Sequence, residues 1–153
     1  MMKLDYKISD EWNLTVDSDS LGAMDETDLR YGAFLGDFVM IANAKQSRTD
    51  WGWVPLLDWY LAMQHIRNEL TSENDCVSTF EFTESDALIE FTKKGNSLTI
   101  SPSYESWIET VSFVDFSDAV DDLGKRVFRD AASKHPQLLV NEDFIRLSET
   151  AGK

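Results

Sequence analysis

Four aspartates, Asp17, Asp19, Asp25 and Asp28, fall on positions 1, 3, 9 and 12 of a calcium-loop register, with Gly22 at position 6. Oxygen ligands at that spacing suit a hard cation, and glycine suits the sharp turn such a loop makes. The register has three departures. Leu21 stands where an oxygen is needed, Asp28 replaces the longer bidentate Glu, and the segment before the loop alternates like a strand rather than a helix. The competing reading of Asp17 to Asp28 is a solvated acidic connection. A second candidate chemistry is a glycosidase-like carboxylate dyad, if Glu81 and Glu90 face each other across a hairpin. In a chain with 28 acidic residues, chance pairs of this kind are expected.

Other catalytic signatures are missing from the sequence. His65 and His135 are far apart and have no HxH, HExxH or neighbouring Cys/His companion, so neither suggests a metal centre. For His135, at the end of a helical stretch, a contact with the helix dipole is expected. Cys76 is the only cysteine; it excludes an internal disulfide and reads as a small packing residue. There is no G-x-S-x-G elbow, no phosphate-binding loop and no G-x-G-x-x-G. No cofactor and no enzymatic activity are expected.

Trp51-Gly52-Trp53 with Trp59 is a different kind of signal. Tryptophan concentrates at interface hot spots, and an exposed pair on the loop before a helix would anchor a partner. The alternative is that the indoles lid the core where that loop meets a sheet. Asp50 and Asp58 flank the cluster, so a partner held there would also meet carboxylate.

The charge points the same way. The formal charge is -14 on 153 residues. Between Asn68 and Gly124 the only basic side chains are Lys93 and Lys94, against Glu81, Glu84, Asp86, Glu90, Asp118, Asp121, Asp122 and further acids. Self-repulsion opposes a compact state, so folding alone does not account for it. Hydrophobic residues make up 42% and aromatic residues 12%, unlike a disordered acidic tail. Nucleic acid and anionic membrane would be repelled. No apolar run approaches the ~20 residues of a membrane span, and the first residues hold no signal-like apolar stretch, so a cytoplasmic protein is expected.

The elements that must position these residues read as one domain over residues 1–153, of class α+β. The expectation is a mostly antiparallel sheet of about six to seven strands, packed on two main helices and a short C-terminal helix. Leu4, Tyr6 and Ile8 alternate with polar residues, as do Trp12, Leu14 and Val16, which suggests a hairpin. Tyr31 to Asn43 reads as strand, with Gly32 and Gly36 marking a bulge or turn. A helix should follow Pro55 and run to about Leu70. Phe80 and Phe82, then Ala87, Ile89 and Phe91, then Leu98 and Ile100 form a meander, to which Trp107 to Phe113 adds a fourth strand. Ser112 and Asp115 resemble a capping box ahead of Phe116, Ala119, Val120, Leu123, Val127, Phe128 and Ala131, a helical stripe that Pro136 ends. Asn141 can cap the last helix.

The segment Trp51-Gly52-Trp53-Val54-Pro55-Leu56-Leu57-Asp58-Trp59, the hairpin Phe80-Glu81-Phe82-Thr83-Glu84-Ser85-Asp86 and the acid-rich start of the second helix resemble in type the small cytoplasmic immunity proteins of bacterial toxin systems. The resemblance implies tight one-to-one inhibition of a basic toxin, often a nuclease. On this reading Glu81, Glu84, Asp86, Glu90, Asp118, Asp121 and Asp122 form the partner face, with Trp51 and Trp53 as anchors. Three alternatives remain: a small carboxylate-dependent hydrolase or metal-binding enzyme, a DNA mimic, and a structural subunit that uses its aromatics to form a homo-oligomer.

Overall fold

The computed structural model describes residues 1–9, 21–32, 34–82 and 85–150. The fold is α+β and the described strands pair antiparallel, but in two four-stranded sheets rather than the single sheet expected. The first sheet holds β1 (Met2–Ile8), β2 (Leu35–Ala42), β3 (Lys45–Arg48) and β4 (Val54–Pro55), with β2 central. The second is the anticipated meander of β5 (Asp75–Glu81), β6 (Leu88–Lys94), β7 (Ser97–Pro102) and β8 (Glu109–Ser112), in sequential order. Among the described residues four helices accompany them: α1 (Glu26–Gly32), α2 (Leu56–Thr71), α3 (Phe113–Lys134) and α4 (Glu142–Ser148), with a 3₁₀ turn at Pro136–Val140.

Each sheet turns one apolar face inward. Leu4, Phe38, Met40 and Ala42 turn one face of the first sheet inward; Ile89, Phe91, Leu98, Ile100 and Val111 do the same for the second. α2 is apolar on a broad face, and α3 along the stripe read from the sequence; both fill the space the sheets enclose. All seven residues of that stripe are buried, as is Gly124. A Cβ at Gly124 would come within 2.6 Å of the Tyr60 ring, so this glycine sets how closely α2 and α3 approach. Each fully buried Leu, Phe or Met contributes roughly 1.5–3 kcal/mol. Exposed ion pairs contribute about 0–1 kcal/mol each, so the core outweighs the charges in holding the fold.

The helix ends follow local signals in the sequence. The Asp115 N–H donates to Ser112 Oγ at 3.0 Å, and the Phe144 N–H donates to Asn141 Oδ1 at 3.0 Å. α3 ends at Lys134, before Pro136. Pairing between distant segments departs from the local pattern. β1 pairs with β2, while the expected partner segment Trp12 to Val16 lies outside the described residues. Tyr31 and Gly32 end α1 instead of opening a strand. Gly36 is neither bulge nor turn. It faces Ile8 across the ladder, where a Cβ would sit 2.0 Å from the Lys7 carbonyl oxygen. Asp25 and Asp28 belong to α1: the Asp28 N–H donates to Asp25 Oδ1 at 2.9 Å, an N-cap.

Candidate functional site: an acidic, aromatic surface

The Trp loop is shaped by one strand carboxylate. Asp37 sits in β2, and its Oδ1 accepts from Thr49 Oγ1 at 2.7 Å and from the Gly52 N–H at 2.9 Å. Thr49 Oγ1 in turn accepts from the Phe38 N–H at 3.2 Å. Gly52 takes a φ of 76°, which turns the chain between the two indoles. Trp51 and Trp53 then stack on each other, centroids 4.9 Å apart and planes at 10°. They remain 43% and 40% exposed. Trp59, by contrast, is buried and stacks on Phe38 at 4.6 Å.

Phe82 joins the surface pair to the core. Trp51 meets Phe82 edge-on at 5.4 Å, Phe82 stacks on Phe38 at 5.6 Å, and Tyr104 meets Phe82 edge-on at 5.7 Å. Such pairs contribute about 0.5–1.5 kcal/mol beyond their buried area. The exposed indoles therefore stand on a rigid aromatic base. Tyr104 is fixed by a 2.5 Å hydrogen bond with Ser47; burial raises its hydroxyl pKa, against that bond. Beside Trp53 is a slot of about 40 Å³, lined by Tyr31, Asp58, Trp59, Phe80 and Glu81 among others. Asp58 accepts from Arg30 Nη2 at 2.7 Å, so an existing cation already meets this carboxylate.

Glu81 and Glu90 lie on the outer, solvent-facing side of the second sheet. Glu81 pairs with Leu88 and Glu90 with Thr79, so the two acids are diagonal neighbours rather than directly opposed. Diagonal positions lie about 7–8 Å apart. Asp86 is exposed in the turn that follows, and Glu84 lies outside the described residues. Lys93 explains much of the local bias. It points inward, is only 7% exposed, and its Nζ donates to the Leu70 and Glu73 carbonyls at 2.8 and 2.9 Å. It thereby caps the C-terminal end of α2, where the helix dipole favours a cation. Lys94 is left as the only basic residue on the outer face of the four meander strands.

The α3 acids are elsewhere. α3 packs on the inner side of that sheet, so Asp118, Asp121 and Asp122 do not join Glu81 and Glu90 in one patch. Asp121 is bound to Arg67, itself almost fully buried. Asp122 accepts from Arg126 Nε at 2.8 Å, and Arg126 also holds Asp5 at 2.8 Å and the Leu4 carbonyl. Both acids thus have structural work that the sequence did not reveal. Asp118 has no ion pair among the described residues; with Asp115 and Asp122 it lines an open cleft against Met1 to Leu4.

The remaining candidates have architectural roles. Asp25 caps α1, Leu21 is fully buried, and Asp17 and Asp19 lie outside the described residues. Among the described residues no three His, Cys, Asp or Glu side chains are grouped to hold a metal. His65 pairs with Glu69 at 2.5 Å on the surface. Burial and then Lys134 lower the pKa of His135, which favours the neutral ring; His135 follows the last residue of α3, and its backbone N–H donates to the Ala131 carbonyl at 3.0 Å. Cys76 packs half-buried, its Sγ donating to the Leu70 carbonyl at 3.6 Å. Asp37, Phe82 and Tyr104 were missed as site residues. The available signal for Asp37 was a carboxylate inside an apolar strand, Leu35-Gly-Asp-Phe.

No helix among the described residues is long and apolar enough to cross a membrane. Compared with protein-family models, curated proteins and solved structures, the chain matches none.

Proposed function

We propose that this protein is a non-catalytic inhibitor that binds a basic protein partner, as immunity proteins bind their toxins, with a nuclease as a fitting target. The observation that carries the reading is the stacked, half-exposed pair Trp51 and Trp53, held on an aromatic base beside Asp58 and Glu81. Aromatic anchors among carboxylates suit a partner whose surface is basic and whose own function is to attract phosphate. The strongly negative charge would steer such a partner, with association rates up to on the order of 10⁸–10⁹ M⁻¹s⁻¹ at low salt. Of the acids first assigned to this face, Glu81, Asp86 and Glu90 are the ones free to meet a partner there. Asp121 and Asp122 serve the fold, and Asp118 lies in the cleft beside β1.

The test is affinity capture from the native host, with the bound proteins identified and weighed. One basic protein in a one-to-one complex, lost when Trp51 and Trp53 are changed to Ala, is the expected result. Capture of no protein at low salt, or of one indifferent to both tryptophans, overturns the proposal.

A further inference from the structure

Among the described residues, three of the four outer strands have an outward carbonyl taken by a side chain, and the fourth, β5, has none. In an antiparallel pair, residues alternate between those that bond the neighbouring strand and those whose N–H and C=O point away from it. On β1 the Leu4 carbonyl points outward and accepts from Arg126 Nη2. On β3 the Gln46 carbonyl accepts from Trp107 Nε1 at 3.3 Å. On β8 the Thr110 carbonyl accepts from Asn43 Nδ2 at 3.0 Å. Along β5 the even positions bond β6, a register set by the Phe82 N–H to the Ala87 carbonyl at 3.2 Å and the Gly95 N–H to the Asn74 carbonyl at 2.8 Å. Val77, Thr79 and Glu81 therefore turn their N–H and C=O groups outward. Among the described residues nothing bonds them. All three side chains are exposed, Val77 at 57%.

The open edge borders a groove. A cleft of about 510 Å³ runs between β5 and α2, with Phe80, Leu61 and Ile66 as apolar wall and Asp58 and Glu81 as acids. The aromatic slot beside Trp53 shares Asp58, Phe80 and Glu81 with this cleft, so the two are neighbours along one line. The arginine that borders the cleft is already engaged, Arg30 with Asp58, and the His65 ring lies 2.5 Å from Glu69. The unengaged charge along the line is negative.

We infer that β5 takes up an extended, basic segment of a protein partner as a fifth strand. This rests on the reading of the protein as a binder of a basic partner, and it names the mode. Main-chain bonds to Val77, Thr79 and Glu81 give affinity, and alternate side chains give specificity. One arginine of that segment lies over the mouth of the slot, its guanidinium stacked on an aromatic face and bonded to the exposed Glu81 carboxylate. A second copy of this chain is a poor occupant, because each copy brings a charge of -14 to the contact.

The experiment measures amide hydrogen exchange of the full protein, free and with two synthetic octapeptides. One alternates Arg and Val; the other alternates Glu and Val. In the free protein the Val77, Thr79 and Glu81 amides should exchange freely while Ser78 and Phe80 are protected. The Arg peptide should slow those three at least about fivefold at low salt, and the Glu peptide should not. Protection of the three in the free protein overturns the inference: if it is independent of concentration the chain covers its own edge, and if it grows with concentration a second copy does. No protection by the Arg peptide also overturns it. Thr79→Pro separates this inference from the functional reading. Proline at 79 removes an outward N–H and leaves the β5–β6 ladder bonds in place. If the wild type captures a basic partner and the folded Thr79→Pro variant captures it equally, the edge is not the site and the functional reading stands. Should the variant fail to fold, the peptide exchange result decides alone.

Discussion

Lys93→Met removes an ammonium group and keeps most of its stem. Two charge-assisted hydrogen bonds disappear, to the Leu70 and Glu73 carbonyls at 2.8 and 2.9 Å, together with a cation contact 4.6 Å from the Phe113 ring centre. Hydrogen bonds to a charged group contribute about 1.5–3 kcal/mol each, but burying an ammonium costs several kcal/mol, so the two largely cancel. What remains is the acceptor left behind. The bond to Glu73 is only partly buried, and water can replace it there. The bond to Leu70 is buried, and its carbonyl would keep only the long contact from Cys76 Sγ at 3.6 Å. One orphaned buried carbonyl costs about 1–3 kcal/mol, so a loss of about 2 kcal/mol is expected. In a chain of this size that is a fall in Tm of about 4–8 °C. Thermal and urea unfolding of Lys93→Met and of Lys94→Met measure it. The second variant, on the outer face, should change stability by less than about 0.5 kcal/mol. Equal or greater stability of Lys93→Met would refute the reasoning, because the ammonium would then contribute no net stabilisation to the end of α2.

Gly36→Ala should destabilise by about 3 kcal/mol or more, seen in urea unfolding, because the new Cβ meets backbone at Lys7 that cannot retreat as a side chain would. Burial raises the pKa of Asp5, but the Tyr6 N–H and the Arg126 guanidinium together lower it below 3.8. Its contribution is therefore present above about pH 4 and lost as pH falls through the lowered folded value. Asp5→Asn should weaken the acid limb of the stability–pH curve and leave its neutral slope unchanged. Trp51→Ala and Trp53→Ala should each cost only about 1–2 kcal/mol in unfolding, less than the 3–5 of a fully buried aromatic, yet weaken partner binding by ~30-fold or more in a direct titration.

Local chemistry was legible in the sequence and distant pairing was not. Ser112, Asn141 and Pro136 act within a turn of their own positions, so their roles at helix ends could be read from neighbours. The α3 stripe followed from period alone. Gly36 and Gly124 act on residues far along the chain, Lys7 and Tyr60, and no local pattern announces such an approach. The charge shows the same division. Asp121 and Asp122 looked like free surface acids because Arg67 and Arg126, which hold them, lie on another helix or a turn away facing Asp5. Lys93 looked like a turn residue because the end of α2 that it caps lies about twenty positions earlier. Trp51 and Trp53 were recognisable as candidates by type, but their exposure depends on Asp37, Thr49 and Phe82, which only the tertiary arrangement brings together.

The most direct measurement is the association rate of the captured basic partner with the wild-type protein as ionic strength is raised. An acidic, aromatic-anchored surface predicts a rate that falls by about tenfold or more between low and high salt, with dissociation accelerated in Trp53→Ala. A rate independent of salt, with dissociation unchanged in that variant, would contradict it.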